Sequence, residues 1–288
     1  MKQIIPLVLL AGAFIACTKT VPAPKPEITS DGLTVVSADI ETLLLENEPV
    51  RHWKQGDAIG LFGSQTGNNE KYLLRKADAA LSSAVFYGPV VKGETIAAYY
   101  PYSPSFSGSA TGMSTPLESV QTYNDDWGAV EQFLNYCPRA YAFLQNQKLK
   151  FHYPFGALEV KIELDEILTV YSLTLNSPSS SLSGLAVIHP DGASMAPGAP
   201  QQVKLLCEGG VDSKDETGRV RSFLLVTVPG TYEDLKLGIE VEGEPVILCE
   251  LGNITIPRID ASGFSLASVK LTTCGPDSFD PVSVHFDE

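Results

Sequence analysis

Four histidines, His52, His152, His189 and His285, are the side chains of this 288-residue chain most suited to proton transfer or metal ligation, and they stand on separate segments. None has the H-E-x-x-H spacing that sets two imidazoles on one helix face around zinc. The sequence also lacks a serine in G-x-S-x-G and a glycine-rich phosphate loop after a strand. Acids are plentiful, but among 34 Asp and Glu mere adjacency says little. Asn124, Asp125 and Asp126 offer adjacent oxygens for calcium, yet they lack the glycine and distal glutamate of an EF-hand loop and read as a solvated turn. The sequence therefore predicts no catalytic residue, no metal site and no cofactor, and a protein that is not an enzyme.

Of the five cysteines, one gains meaning from its position. Lys2 gives a positive start, residues 4–16 form an apolar run, and Phe14, Ile15 and Ala16 lead directly into Cys17, the layout of a cleavable export signal. The run is shorter than the ~20 residues a membrane-spanning helix needs. A cysteine placed there resembles a bacterial lipoprotein signal, which implies cleavage between Ala16 and Cys17, acylation of Cys17 and attachment of the exported chain to a membrane face. A secretory signal cleaved without lipidation is the plainer alternative. Cys137, Cys207, Cys249 and Cys274 remain, an even number with three disulfide connectivities. They form no C-x-x-C and no Cys/His cluster. Cys207 and Cys249 lie in strand-like apolar runs, where a bridge competes with two free thiols acting as small core residues.

The elements that would hold such residues are strands. After a proline-containing stretch at 17–32 that reads as an extended tether, apolar runs of strand length recur at 33–40, 58–62, 71–74, 84–87 and 95–100. A second group covers 149–153, 158–164, 170–175, 185–188, 203–207, 221–228, 235–241, 246–251 and 264–271. Gly, Pro, Asn or Asp close almost all of them. Residues 158–164 alternate apolar and charged, predicting Leu158, Val160, Ile162 and Leu164 on a buried face and Glu159, Lys161 and Glu163 in water. Helical signals are weak; 39–48 and 127–136 are the two candidates, and the polar stretch 103–124 reads as a loop with one strand at most. The organisation expected is a signal at 1–16, a tether at 17–32, and two antiparallel β-sandwich domains at 33–147 and 148–288. The polar run at 145–148 marks the boundary. A net charge of −14 without a basic stripe excludes nucleic acid as a partner.

Several short motifs occur in one order. Trp53, Gly56, Asp57, Ile59 and Gly60 fit W-x-x-G-D-x-I-G. Residues 69–72, then Tyr99, Tyr100, Pro101 and Tyr102, follow. The second half adds 149–164, Val226 to Leu235 around Pro229 and Gly230, and Ile254 to Pro257. Together they resemble the Bacteroidetes fimbrillin family, over roughly 33–272. The resemblance implies two all-β sandwiches of transthyretin-like topology, and a stalk, tip or anchor subunit of a surface pilus at the outer membrane. It also implies removal of the first strand by an arginine- or lysine-directed protease and entry of another subunit's strand into the vacated groove. A non-polymerising outer-membrane lipoprotein that binds glycan or host protein through aromatic residues is the alternative; Tyr99, Tyr100 and Tyr102 are then either a sugar platform or core and rim packing.

Two further sites follow from that picture. Arg51 lies after the first strand and before Trp53, near Pro49 in a charged loop-like segment, and is the expected maturation site. At the chain end Val282, Val284 and Phe286 alternate with polar residues and would share one face of an extended donor strand; a strand packed in its own sheet is the competing reading.

Overall fold

The computed structural model describes residues 32–40, 44–45, 48–49, 53–74, 83–243, 246–259, 267–273 and 279–286. The first strands are β1 (Leu33–Ile40), β2 (Leu44–Leu45), β3 (Glu48–Pro49), β4 (Ala58–Gly63), β5 (Glu70–Leu74), β6 (Ser83–Val91) and β7 (Ile96–Tyr100). There follow β8 (Gly108–Ser109), β9 (Gly112–Leu117), β10 (Val120–Thr122), the helix α1 (Ala129–Tyr136), β11 (Ala140–Gln145) and β12 (Lys148–Phe151). The rest is β13 (Gly156–Ile162), β14 (Thr169–Asn176), β15 (Gly184–His189), β16 (Gly192–Met195), β17 (Gln202–Asp212) and β18 (Ser222–Thr227), then β19 (Gly230–Val241), β20 (Ile247–Ile256), β21 (Ala267–Thr273) and β22 (Phe279–Phe286). The chain is all-β, as its turn-punctuated apolar runs require.

The two halves close differently. Strands β1-β12-β11-β7-β4-β5-β6 form a closed barrel rather than an open sandwich, filled by Trp53, Ile59, Phe86, Tyr99 and Phe151. The second half is a sandwich: the sheet β10-β17-β14-β19-β20 faces β18-β13-β21-β22 across a core of Leu158, Val160, Leu173, Leu175, Leu205 and Leu237. A third sheet, β16-β15-β9-β8, and the parallel pairing of β10 with β17 stitch the halves together.

Four sequence expectations change. The stretch 103–124 holds three strands, because Met113, Thr115 and Leu117 alternate inward among Ser, Thr and Pro. The run at 145–148 is not a boundary but a hairpin turn: Gln145 pairs with Lys148, and Asn146 and Gln147 have φ of 49° and 66°, the twist that suits two-residue hairpins. Lys148–Phe151 thus belongs to the barrel. Of the helix candidates 127–136 is realised, buried through Val130, Phe133 and Tyr136, whereas Asp39 and Ile40 end β1 and Leu44–Leu45 is strand. Finally, the charged face of β13 is covered. Glu159 is 6% exposed, accepts hydrogen bonds from Ser222 and, at 3.0 Å, from Ser268, and pairs with Lys161 at 2.9 Å. Partners, not water, satisfy it.

Candidate functional site

The barrel is closed by its first strand. β1 runs antiparallel to β6 and parallel to β12, with Ser37 opposite Lys148 and Ile40 opposite Phe151. Val36, Ala38 and Ile40 point inward with period two, and a register shift between Leu33 and Val35 brings Leu33 inward as well; all four are at most 3% exposed. The Tyr72 hydroxyl sits 2.5 Å from the Leu33 carbonyl and 2.7 Å from that of Pro89, fixing the start of β1 against β6. At its other end Asp39 pairs with Lys148 at 2.5 Å and accepts a hydrogen bond from Ser83. Without β1 the barrel would have a slot one strand wide between β12 and β6.

The motif residues around the slot build it rather than do chemistry. Trp53 packs edge-on against Phe86, Tyr100 and Phe151, with centroids 4.9, 5.0 and 5.6 Å away. Gly56 has a φ of +96°, which only glycine adopts cheaply, and Asp57 receives the Lys54 N–H at 2.8 Å and the Tyr100 hydroxyl at 3.0 Å. Gly60 lies opposite Tyr99; a β-carbon there would stand 2.1 Å from the Tyr99 ring. Tyr99 is fully buried and Tyr100 5% exposed, so core packing holds for both and neither is part of a sugar platform. Burial is also the main reason the Tyr99 hydroxyl titrates above the usual phenol range.

The C-terminal strand β22 pairs antiparallel with β21 at the end of its sheet, with Phe286 opposite Ala267 and Pro281 opposite Leu271 next to a register shift. Val282, Val284 and Phe286 are therefore on a strand of their own sheet, and an edge strand. Pro281 fits such a place because an edge needs no N–H toward solvent. Ala16, Cys17 and Arg51 lie outside the described residues, as does Cys274.

Cys137, Cys207 and Cys249 are buried free thiols. Desolvation pushes Cys207 up to about 12 and raises Cys249, so both behave as small apolar residues and not as a bridge. Asp125 is held by Arg221 in a two-pronged contact of 2.8 and 2.7 Å, and Asn124 Oδ1 closes the turn on the Asp126 N–H at 2.9 Å.

The concavity missed by sequence reasoning lies where three distant segments meet. Lys148, Lys150 and His152 come from the barrel, His189 from the β15–β16 turn and Arg258 from the segment after β20. Its floor is buried Tyr141, Tyr153 and Pro154. Tyr141 and His152 exchange both backbone hydrogen bonds at 2.9 Å, and Arg258 Nη2 is 3.4 Å from His152 Nδ1. No local spacing could reveal a cluster spread over more than a hundred residues.

No protein-family model matches the chain, and no curated protein sequence matches it. Solved structures do. The tip fimbrial protein Mfa3 of Porphyromonas gingivalis, with C-terminal truncation, is 11% identical over 88% of this chain and 97% of its own, with a TM-score of 0.44. A candidate cell adhesion protein of Bacteroides uniformis is 13% identical over 83% and 93%, with a TM-score of 0.49. A candidate cell adhesion protein of Bacteroides ovatus, 13% identical over 88% of this chain and 95% of its own, superposes with a TM-score of 0.52, and this chain shares its fold.

Proposed function

We propose that the chain is a stalk, tip or anchor subunit of a surface pilus that polymerises by strand exchange after one proteolytic cut. The observation that carries this reading is the position of β1, the first strand described and the one that closes the barrel between β12 and β6. A cut at Arg51 would leave β1 attached only through hydrogen bonds and packing. Its departure would open a slot with two unpaired strand edges and an apolar floor, the geometry in which an added strand gains affinity from main-chain bonds and register from alternate pockets.

The donor in this reading is β22. It has eight residues, as β1 has, and Val282, Val284 and Phe286 repeat the i, i+2, i+4 spacing of Val36, Ala38 and Ile40. As an edge strand it has one hydrogen-bonded neighbour; between β12 and β6 of another subunit it would have two. Exchange therefore increases its pairing. The fold shared with the Bacteroides ovatus protein supports the reading at the level of architecture. Upstream, Cys17 carries the lipid that holds the precursor at the outer membrane, and other pilus subunits are the partners.

The deciding experiment incubates the full chain with a trypsin-like protease and looks for a ladder resistant to detergent. A ladder from the wild type, lost in Arg51→Ala, is the expected result. Clean cleavage without a ladder would leave the non-polymerising lipoprotein instead. Cys17→Ser should abolish membrane fractionation; unchanged fractionation would remove the lipid from the account.

A further inference from the structure

β1 carries two rows of side chains, and its outward row bears one charge. Val35, Ser37 and Asp39, all partly exposed, alternate with the buried Val36, Ala38 and Ile40. Asp39 lies opposite Ser83 on β6 and opposite Lys150 on β12. Its carboxylate accepts the Ser83 hydroxyl and pairs with Lys148 at 2.5 Å. Lys148 and Lys150 are two residues apart and therefore share one face of β12. When β1 leaves, both walls of the slot lose the acid that joins them, in a chain whose acids otherwise outnumber its bases 34 to 20.

The inward row decides which residue of an arriving strand meets those lysines. Ala38 is fully buried, opposite Ala84 and Leu149, so the centre of the slot is fitted to a methyl group. A slip of one residue turns the apolar row out to solvent, and a slip of two drives a side chain the size of Val or Ile into the place of that methyl, an overpacked arrangement. The residue that follows the small one is thereby set between Ser83 and Lys150. Opposite charges facing each other across strands stabilise the pairing, and like charges weaken it. In the register that matches Val282, Val284 and Phe286 to Val36, Ala38 and Ile40, β22 of a second copy brings His285 to this place, and the acid on the same row, Asp287, falls two residues further on.

Resting on the strand-exchange reading above, we propose that Lys148 and Lys150, with Ser83, select the donor strand by an Asp or Glu directly after its central small residue. The preferred partner is a strand of another subunit with the order apolar, any residue, small, acid, apolar, as in Val36, Ser37, Ala38, Asp39 and Ile40 of β1 itself. β22 of a second copy enters the same slot and is the weaker occupant.

The test cuts the full chain with the trypsin-like protease, inhibits the protease, and follows by native mass spectrometry the uptake of synthetic strands in place of β1. The peptides are residues 32–40 as they stand, the same with Asp39→Asn or Asp39→Lys, and residues 279–288 with and without His285→Asp. Asp39→Asn should bind about threefold and Asp39→Lys at least about tenfold more weakly than the native peptide, and His285→Asp should tighten the β22 peptide about threefold. Each difference should shrink in concentrated salt. In the chain with Lys148→Glu and Lys150→Glu the order should invert, the Asp39→Lys peptide now binding best, which a purely structural role of the lysines does not produce. If that chain fails to fold, Lys150→Gln, at an exposed position, keeps the test alive: it should cut the preference for the native peptide over Asp39→Lys about threefold. Equal uptake of all the β1 peptides, or an unchanged order in the folded lysine variants, would overturn selection by charge. A cut chain that keeps β1 and takes up no peptide at all would overturn the exchange reading itself, and this inference with it.

Discussion

In the barrel seven strands return on themselves, and the strand that completes the circle is the first one described; in the sandwich two open sheets face each other, and each has borders. The sandwich guards three of its four borders in different ways. β10 is only three residues long. The border of β18 is occupied by the Gln121 amide, which donates to the Val226 carbonyl at 2.8 Å and accepts its N–H at 3.0 Å. β20 ends its sheet beside β22, carrying Leu248 at 76% exposure. β22 is the fourth border, and it pairs with β21 on its inner side. The comparison teaches where exchange can happen: a barrel has no edge to offer until its closing strand leaves, and a sandwich can release a border strand without opening its core.

The largest expected effect comes from separating β1 from the barrel. Burial of Leu33, Val36 and Ile40 is worth roughly 5–9 kcal/mol before ordering costs, comparable with the whole stability of a domain, about 5–15 kcal/mol. Chains lacking residues 32–40 should lose amide-exchange protection across β4, β7 and β12 while β14 and β19 keep theirs. Protection retained throughout the barrel would mean that β1 is an accessory. Deleting 281–288 should do the opposite: β21 loses a neighbour, the barrel amides do not change, and polymerisation stops while the monomer still folds and is cut. A truncated chain that unfolds assigns the segment to its own core, and one that still polymerises removes β22 as donor.

Both strands were legible in the sequence because apolar residues alternate with polar ones: Val36, Ala38 and Ile40 around Ser37 and Asp39, and Val282, Val284 and Phe286 around Ser283 and His285. The barrel closure was not. It depends on β1 reaching β12 across more than a hundred residues, and on Asn146 and Gln147 forming a hairpin turn where a polar run reads equally well as a linker. Strand β9 was hidden because Thr115 serves as a buried residue, and Glu159 misled because charge alone does not reveal that Ser222 and Ser268 await it. The basic cleft was invisible for the same reason as the closure: His152, His189 and Arg258 are neighbours only after folding.

A glycine in each half sharpens the comparison at a smaller scale. Gly60→Ala places a methyl 2.1 Å from the ring of Tyr99, whose hydroxyl is tied to the Ser103 carbonyl at 2.7 Å, so the ring cannot swing aside. Overpacking of this kind costs about 1–3 kcal/mol. Gly238→Ala in β19 meets Val246 and Leu248 at ordinary distances of 3.5 and 3.6 Å and should stabilise by about 0.4–1 kcal/mol through the unfolded chain. Denaturant midpoints of the two variants check this, and a stabilised Gly60→Ala would show that the barrel packs more loosely than described.

The smallest effect concerns electrostatics at the seam, where the loop after β10 is bound to the start of β18 by Asp125 and Arg221. The Arg221 hydrogen bonds hold the Asp125 carboxyl below the usual carboxylate range, and Asp125 in turn raises Arg221. A carboxyl whose value is lowered in the folded state contributes stability that is present above its unfolded value and is lost as pH falls through the folded one. Arg221 stays charged throughout that window and adds no pH dependence. Because the Asp125 side chain is 55% exposed, the contribution is that of a surface pair, about 0.2–1 kcal/mol. Asp125→Asn should therefore lower the melting temperature slightly at pH 7, less in concentrated salt, and not at all near pH 2. A wild-type advantage that persists undiminished at pH 2 would mean that Asp125 acts through the Tyr123 hydroxyl, 3.0 Å from its Oδ1, rather than through its charge.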